Sequence, residues 1–163
     1  MLFTLAHVGP RFGPRDPLDP PTRVYLERIS PFASTQAEAF KSEAAFLDWL
    51  DRQKGRGPRG RVHVRGVEGR DPALPVLLDS RGKQMTSEAF AAWIGARRDQ
   101  GTRHLVFAIG PADGWSPAAH ARAQLLLSLG PFTLAHALAR LVLAEQLYRA
   151  TTILTGHPYH SGH

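Results

Sequence analysis

The chain contains no cysteine. That excludes disulfides, cysteine-based zinc centres and a thiol nucleophile at once. Long hydrophobic runs are missing as well, since no apolar stretch approaches the roughly 20 residues that cross a bilayer. The opening MLFTLAHVGP has no basic segment ahead of a short apolar one, so it does not read as a secretory signal and a cytoplasmic protein is expected. The Pro/Gly-rich segment 9–21 holds neither a Walker loop nor a GxGxxG turn, so it carries no phosphate-binding signature. Acidic residues are the scarcer charge, 14 against 20 Lys and Arg, for a net charge of +6. Such a balance either steers a polyanion such as nucleic acid or is simply solvated basic surface. A length of 163 residues suits a single domain, residues 1–163, large enough to bury roughly two-thirds of its unfolded surface.

Periodicity then lays out the elements. Leu2–Val8 is apolar, β-prone and stopped by Gly9-Pro10, the pattern of a buried first strand. Asp19 followed by Pro20 and Pro21 marks a helix start, with Val24, Leu26 and Ile29 as apolar positions and Pro31 as the stop. Ser34 or Thr35 is expected to cap a second helix to about Arg52, because Phe40, Ala44, Leu47 and Leu50 fall at helical spacing. Lys54, Arg56, Arg59, Arg61 and Arg65 follow among glycines and Pro58. That stretch reads as a basic loop, either solvated or touching RNA phosphate, with a short strand in 62–67 as a further option.

Residues 74–78 read as a strand ending at Asp79, with SRGKQ as the turn. Thr86 is expected to cap a helix to about Arg98. His104–Ile109 is a further strand ending at Gly110, Ser116-Pro117 opens a helix, and residues 125–129 form another short strand. Thr133 is expected to cap a last helix running to about Ile153. Strands alternating with helices predict an α/β fold, a mostly parallel sheet covered by helices on both faces. Ligands of such sheets gather at the carboxyl ends of the strands. The ends at Leu78-Asp79, Ile109-Gly110 and Leu129-Gly130 would therefore converge on one pocket.

Two loops stand out: GPADG from Gly110, and Leu129, Gly130, Pro131, Phe132, Thr133 and Leu134 leading into the last helix. Glycine permits a sharp turn or a close approach to a ligand, and the free amides of a helix start suit a polar group. The last helix is apolar on more than one face, so it must be buried on several sides, and a second subunit is a natural cover. Glu145 and Arg149 sit one helical turn apart and can pair. The tail His157-Pro158-Tyr159-His160 is either a frayed terminus or a functional pair, Tyr stacking on a base and His moving a proton. No neighbouring acidic or histidine cluster completes a coordination shell, so no metal is expected.

These stretches also carry a resemblance. VLLDSRGK at 76–83, SEAFAAWI at 87–94, FAIGPADG at 107–114, LSLGPFTLAH at 127–136, LAEQLYRA at 143–150 and HPYH at 157–160 come in an order and spacing that resemble the RlmH family of ribosomal RNA methyltransferases, within the SPOUT superfamily. The opening LFTLAHVG and YLERISPF at 25–32 are similar too, whereas residues 33–73 are not. The resemblance implies a SPOUT-type α/β fold with a C-terminal trefoil knot, S-adenosyl-L-methionine as cofactor and a homodimer. It further implies methylation of N3 of a pseudouridine in the 23S rRNA of the assembled 70S ribosome. Leu78, Gly110 and the loop Leu129, Gly130, Pro131, Phe132, Thr133, Leu134 would hold the cofactor. Glu145, Tyr159 and His160 would line the target side, with His160 or Glu145 assisting loss of the N3 proton. The family commonly has a second glycine where this chain has Pro111 and an arginine where it has Ser161, for which Arg149 or a basic residue of a partner subunit would substitute. Two rival readings share the fold: a tRNA methyltransferase, and a ribosome-binding protein without the reaction.

Overall fold

Five parallel strands form one sheet in the order β2-β1-β4-β3-β5. The strands are β1 (Leu2–Val8), β2 (Ser34–Phe40), β3 (Leu74–Gln84), β4 (His104–Ile109) and β5 (Leu125–Ser128). The helices between them are α1 (Asp19–Ile29), α2 (Glu43–Gln53), α3 (Ser87–Asp99), the one-turn α4 (Pro117–His120) and α5 (His136–Thr155), followed by a 3-10 turn, Pro158–Ser161. This computed structural model describes residues 1–11, 13, 16–53 and 72–161, with side chains as far as Tyr159. The basic stretch from Lys54 to Arg65 and the candidate strand in 62–67 lie outside the described residues.

The central strands are apolar on both faces because both faces are covered. On one side α1, α3 and α5 pack Leu26, Ile29, Phe90, Ile94, Leu143 and Leu147 onto Phe3, Leu5, Val76 and Phe107. On the other, Phe46 and Leu50 of α2 and Ala119 of α4 meet Val8, Leu77, Val106 and Trp115. Thr4, fully buried in β1, is satisfied by His104 Nε2 and by the Gln36 amide, each at 2.7 Å. Asp19 ties the start of α1 to α5, accepting from Arg23 Nε at 2.6 Å and from Arg140 Nη2 at 3.3 Å. Burial pushes the Asp19 carboxyl up, but these two arginines outweigh it and hold it below its ordinary value.

The predicted strands at Leu2–Val8 and His104–Ile109 and the helices after Asp19 and Thr86 stand as expected; the Thr86 hydroxyl accepts from the Ala89 amide at 3.1 Å. Three expectations need correction. Ser34 and Thr35 cap no helix but open β2, paired with β1 from Leu2↔Ser34 to Val8↔Phe40. Alanine, glutamine and glutamate there favour a helix, yet the open edge of β1 offers a ladder, and tertiary pairing overrides weak propensity. The helix starts later, and Ser42 caps it by accepting from the Ala45 amide at 3.2 Å. SRGKQ is no turn: after a shift between Leu78 and Lys83, β3 resumes beside β5 with Lys83↔Leu127 and Gln84↔Ser128. Thr133 does not cap the last helix, which begins at His136 behind Ala135 and runs to Thr155.

Much of the apolar breadth of α5 is covered within one chain, though Leu138 stays exposed and Leu141 and Val142 are half-buried. It packs against α1 and α3 as well as the sheet, and Leu143, Ala144, Leu147 and Ala150 have no exposed surface.

Candidate functional site

Strands β4, β3 and β5 are neighbours, so their carboxyl ends meet, and a cavity of about 600 Å³ opens there. Leu78, Gly110, Leu129, Gly130, Phe132, Thr133 and Leu134 all line it, as the sequence anticipated from the convergence of three strand ends. Pro131 is not among its lining residues. Asp79, expected at one of the converging strand ends, lines it too, and so do three residues that sequence reasoning did not single out: Arg81, Trp115 and His136. Arg81 lies in a segment that reads as a plain turn, and His136 in the body of a helix. Trp115 followed the glycine loop and was the one legible signal.

Packing fixes each wall. The Trp115 indole N–H donates to the Leu78 carbonyl at 3.0 Å, clamping the 110–115 loop onto the end of β3. A Cβ on Gly110 would stand 2.8 Å from that indole ring, so only glycine lets the loop lie so close. Glu43 of α2 then holds the far end of the loop. Its carboxylate accepts from the Ser116 amide at 2.9 Å and from the Ser116 hydroxyl, while Ser116 caps α4 through the Ala119 amide at 3.2 Å.

The segment 79–82 is an arch over β5. A Cβ on Gly82 would fall 2.6 Å from the Leu126 carbonyl carbon, so the two backbones touch where a side chain cannot fit. The Ser128 hydroxyl lies 3.0 Å from the Gly130 carbonyl and 3.2 Å from the Ser80 carbonyl, which share its one proton, and its oxygen accepts the Gly130 amide at 3.2 Å. Asp79 accepts the Arg81 amide at 2.9 Å and Arg81 Nε at 3.3 Å, and His120 Nε2 lies 2.8 Å from its other oxygen. The Arg81 guanidinium holds the Asp79 carboxyl down to about 2, against the opposing effect of burial, and the backbone amide and His120 help.

A second polar cluster lies along α5. Glu145 Oε1 accepts from Arg149 Nη2 at 2.8 Å and from the Tyr159 hydroxyl at 3.2 Å, and Oε2 accepts from the Gln146 amide at 2.6 Å. The expected Glu145–Arg149 pair is thus present. Tyr159 also packs on Tyr148 at 4.7 Å between centroids and lies under the Arg149 guanidinium at 5.0 Å. Burial pushes the Tyr159 phenol far up, helped by Tyr25 and the Glu145 charge, so it stays protonated and donates. The backbone of His160 lies in the 3-10 turn, and its side chain is outside the described residues.

Neither Glu145 nor Tyr159 lines the cavity. Glu145 lies nine residues along α5 from His136, about 14 Å at 1.5 Å per residue. One chain therefore does not bring the two predicted groups together. Among the described residues no group of three or more His, Cys, Asp or Glu could hold a metal ion, and no helix is long and apolar enough to cross a membrane.

A parallel α/β sheet with one clamped cavity at the carboxyl ends of three adjacent strands defines an open-sheet protein that takes a small ligand at its strand ends. The family model described as "Predicted SPOUT methyltransferase" matches residues 4–160. A protein named ribosomal RNA large subunit methyltransferase H from Koribacter versatilis (strain Ellin345) is 46% identical over 142 residues, 87% of this chain and 87% of that relative. The protein of the same name from Rhizobium meliloti (strain 1021) is 60% identical over 90 residues, an alignment covering 55% of this chain and 56% of the relative. Among solved structures, the SpoU methyltransferase AviRb from Streptomyces viridochromogenes, in complex with AdoMet, aligns at a TM-score of 0.46 and 12% identity over 96% of this chain and 61% of that one. The chain belongs to the SPOUT methyltransferase family, in its RlmH branch.

Proposed function

We propose that this protein is an S-adenosyl-L-methionine-dependent rRNA methyltransferase. It methylates N3 of a pseudouridine in 23S rRNA of the assembled 70S ribosome, and it works as a cytoplasmic homodimer. The observation that carries this reading is the cavity at the ends of β3, β4 and β5, lined by the segments expected to hold a cofactor, in a chain that matches the SPOUT family along nearly its whole length.

The residues present fit that cofactor. About 600 Å³ suits a nucleoside-sized ligand. Leu78, Ile109, Leu127, Leu129 and Leu134 give apolar walls for a base, and the amides at the start of α5, which has no side-chain cap, suit a carboxylate. A sulfonium held there would supply an electrophilic methyl group, with a neutral thioether as the leaving group. The chain itself supplies positioning: Trp115, Glu43 and Ser128 hold three loops rigid, which keeps the geometry of an in-line displacement.

The acceptor nitrogen must lose its N3 proton before it attacks. Both Glu145 oxygens are already engaged, so Glu145 orients Tyr159 and Arg149 rather than taking that proton. His160 is the proposed acceptor, Tyr159, its hydroxyl held by Glu145, offers its ring to stack on the base, and Arg149 is a cation favouring the anionic form of the base. Because this cluster lies about 14 Å along α5 from the cavity of its own chain, the proposed reaction centre pairs the cavity of one protomer with the cluster of its partner. Phe132, 82% exposed on the cavity loop, and Leu138, 39% exposed on α5, are apolar groups that such a contact would cover. The C-terminal trefoil knot belongs to the same proposal, and the tight contact of Gly82 with the β5 backbone supports it.

The test supplies radiolabelled S-adenosyl-L-methionine with 70S ribosomes, isolated 50S subunits or bulk tRNA, the ribosomes taken from cells lacking the endogenous enzyme. Label in 23S rRNA from 70S particles alone is the expected result. Label in tRNA would overturn the substrate, and cofactor binding without label would overturn the reaction. Light scattering during size exclusion reads the dimer.

A further inference from the structure

The cavity mouth holds a feature that cofactor binding does not explain. The Arg81 side chain is 77% exposed, yet it is not loose: Asp79 accepts its Nε at 3.3 Å, its Nη2 at 3.4 Å and its backbone amide at 2.9 Å. Asp79 is only 7% exposed and is further engaged by His120 Nε2 at 2.8 Å, so its charge is turned inward. What faces solvent at this rim is the guanidinium, whose remaining donors, both on Nη1 among them, are forked for an anionic oxygen. Two residues on, Lys83 is exposed as well. The arch that carries them is held by the close contact of Gly82 with the β5 backbone, with the Ser128 hydroxyl beside the Ser80 carbonyl.

An exposed arginine on a mobile loop would be solvated surface. An exposed arginine held by three bonds on a rigid arch, at the mouth of a cavity whose only other full charges among the described lining residues are Asp79, which it already pairs with, and Asp113, is preorganised for an anionic ligand at that mouth. We infer that Arg81 grips a backbone phosphate of the RNA beside the methylated nucleotide, with Asp79 as the residue that positions it and Lys83 as a weaker second contact. This rests on the methyltransferase reading and adds the residue that seats the substrate over the cofactor. A phosphate is favoured over the cofactor's own carboxylate because Arg81 sits at the cavity mouth with its side chain 77% exposed, whereas the cavity interior offers the amides at the start of α5.

The experiment measures binding of the full-length protein to purified 70S ribosomes by sedimentation at several salt concentrations. Cofactor affinity by calorimetry and methyl transfer are measured in parallel. Arg81→Ala should weaken ribosome binding about tenfold and lower the salt slope by about one. Because Arg81 also lines the cavity mouth, cofactor affinity should fall by less than ribosome binding does, and Arg81→Lys should restore part of the loss, a lysine keeping the charge without the fork. Asp79→Asn should raise KM for ribosomes with a smaller change in kcat, because it loosens the fork without removing the cation. Lys83→Ala should show the smallest effect. Equal ribosome binding by wild type and Arg81→Ala overturns the inference, as does a loss confined to cofactor affinity. Wild type that binds ribosomes but transfers no methyl group would sink the proposed reaction instead, and the binding comparison would still decide on Arg81.

Discussion

The two polar regions of the molecule are built on different principles. The cavity is made from strand ends and loop backbone, clamped by Trp115, Glu43 and Ser128, and its shape depends on glycines that let chains touch. The cluster on α5 is made from side chains of one helix and the turn that folds back on it, Glu145, Arg149 and Tyr159, each satisfying another. A binding site assembled from sheet register tolerates few backbone changes but does not hang on one functional group. A cluster of mutually satisfied side chains is the reverse, since one deleted oxygen removes a partner while the fold stands.

The largest effect expected from that contrast is at Gly82. An added methyl would fall 2.6 Å and 2.7 Å from the carbonyl carbon and oxygen of Leu126 and 2.9 Å from the Asp79 carbonyl oxygen, all backbone atoms that have nowhere to go. Gly82→Ala should cost about 2–3 kcal/mol of unfolding free energy, read as a lower Tm together with lost cofactor binding. An unchanged Tm would mean the arch is softer than the contacts imply.

Gly110→Ala comes next. Its methyl meets the Trp115 ring at 2.8 Å, and a side chain can swing away where a backbone cannot. The expected cost is about 1–2 kcal/mol, with cofactor affinity down about tenfold because the indole lets go of the Leu78 carbonyl. Tryptophan fluorescence would report the displaced ring. Tyr159→Phe addresses the other region: the ring contact with Tyr148 remains, and only the hydroxyl's contacts with Glu145 and Tyr25 are lost. Turnover should fall about tenfold or more with cofactor affinity and Tm nearly unchanged. A loss of cofactor affinity in this variant would erase the separation between the two regions.

The same contrast explains what the sequence made legible. Strands buried on both faces announce themselves as apolar runs, so β1 and β4 were readable to the residue, and so was the convergence of three loops. β2 was not, because a half-exposed edge strand of Ser, Thr, Gln, Ala and Glu has no period of its own and is specified by the neighbour it pairs with. The return of β3 after Leu78 was missed for a related reason: Ser80, Arg81 and Gly82 carry turn chemistry, and only the β5 backbone beneath them turns that chemistry into an arch. The apolar α5 is legible as a buried helix, but the share of its cover that α1 and α3 supply from within the chain is not.

Acid provides the finest comparison, because Asp79 is the cavity's most strongly held carboxylate among the described residues. Its folded value of about 2 lies below the ordinary 3.8, chiefly through the bond from Arg81. A carboxyl depressed on folding lends stability while it is ionised in both states, above about pH 4, and that contribution fades as pH falls through 4 towards 2. Arg81 is largely exposed, so water screens the pair and the contribution is small. Asp79→Asn should therefore be slightly less stable than wild type at pH 6, and the two should approach each other by pH 2 in urea titrations. Parallel curves across that range would mean that the Asp79–Arg81 bonds shape the arch without stabilising it. The arginine's fixed orientation would then come from the Gly82 and Ser128 contacts alone.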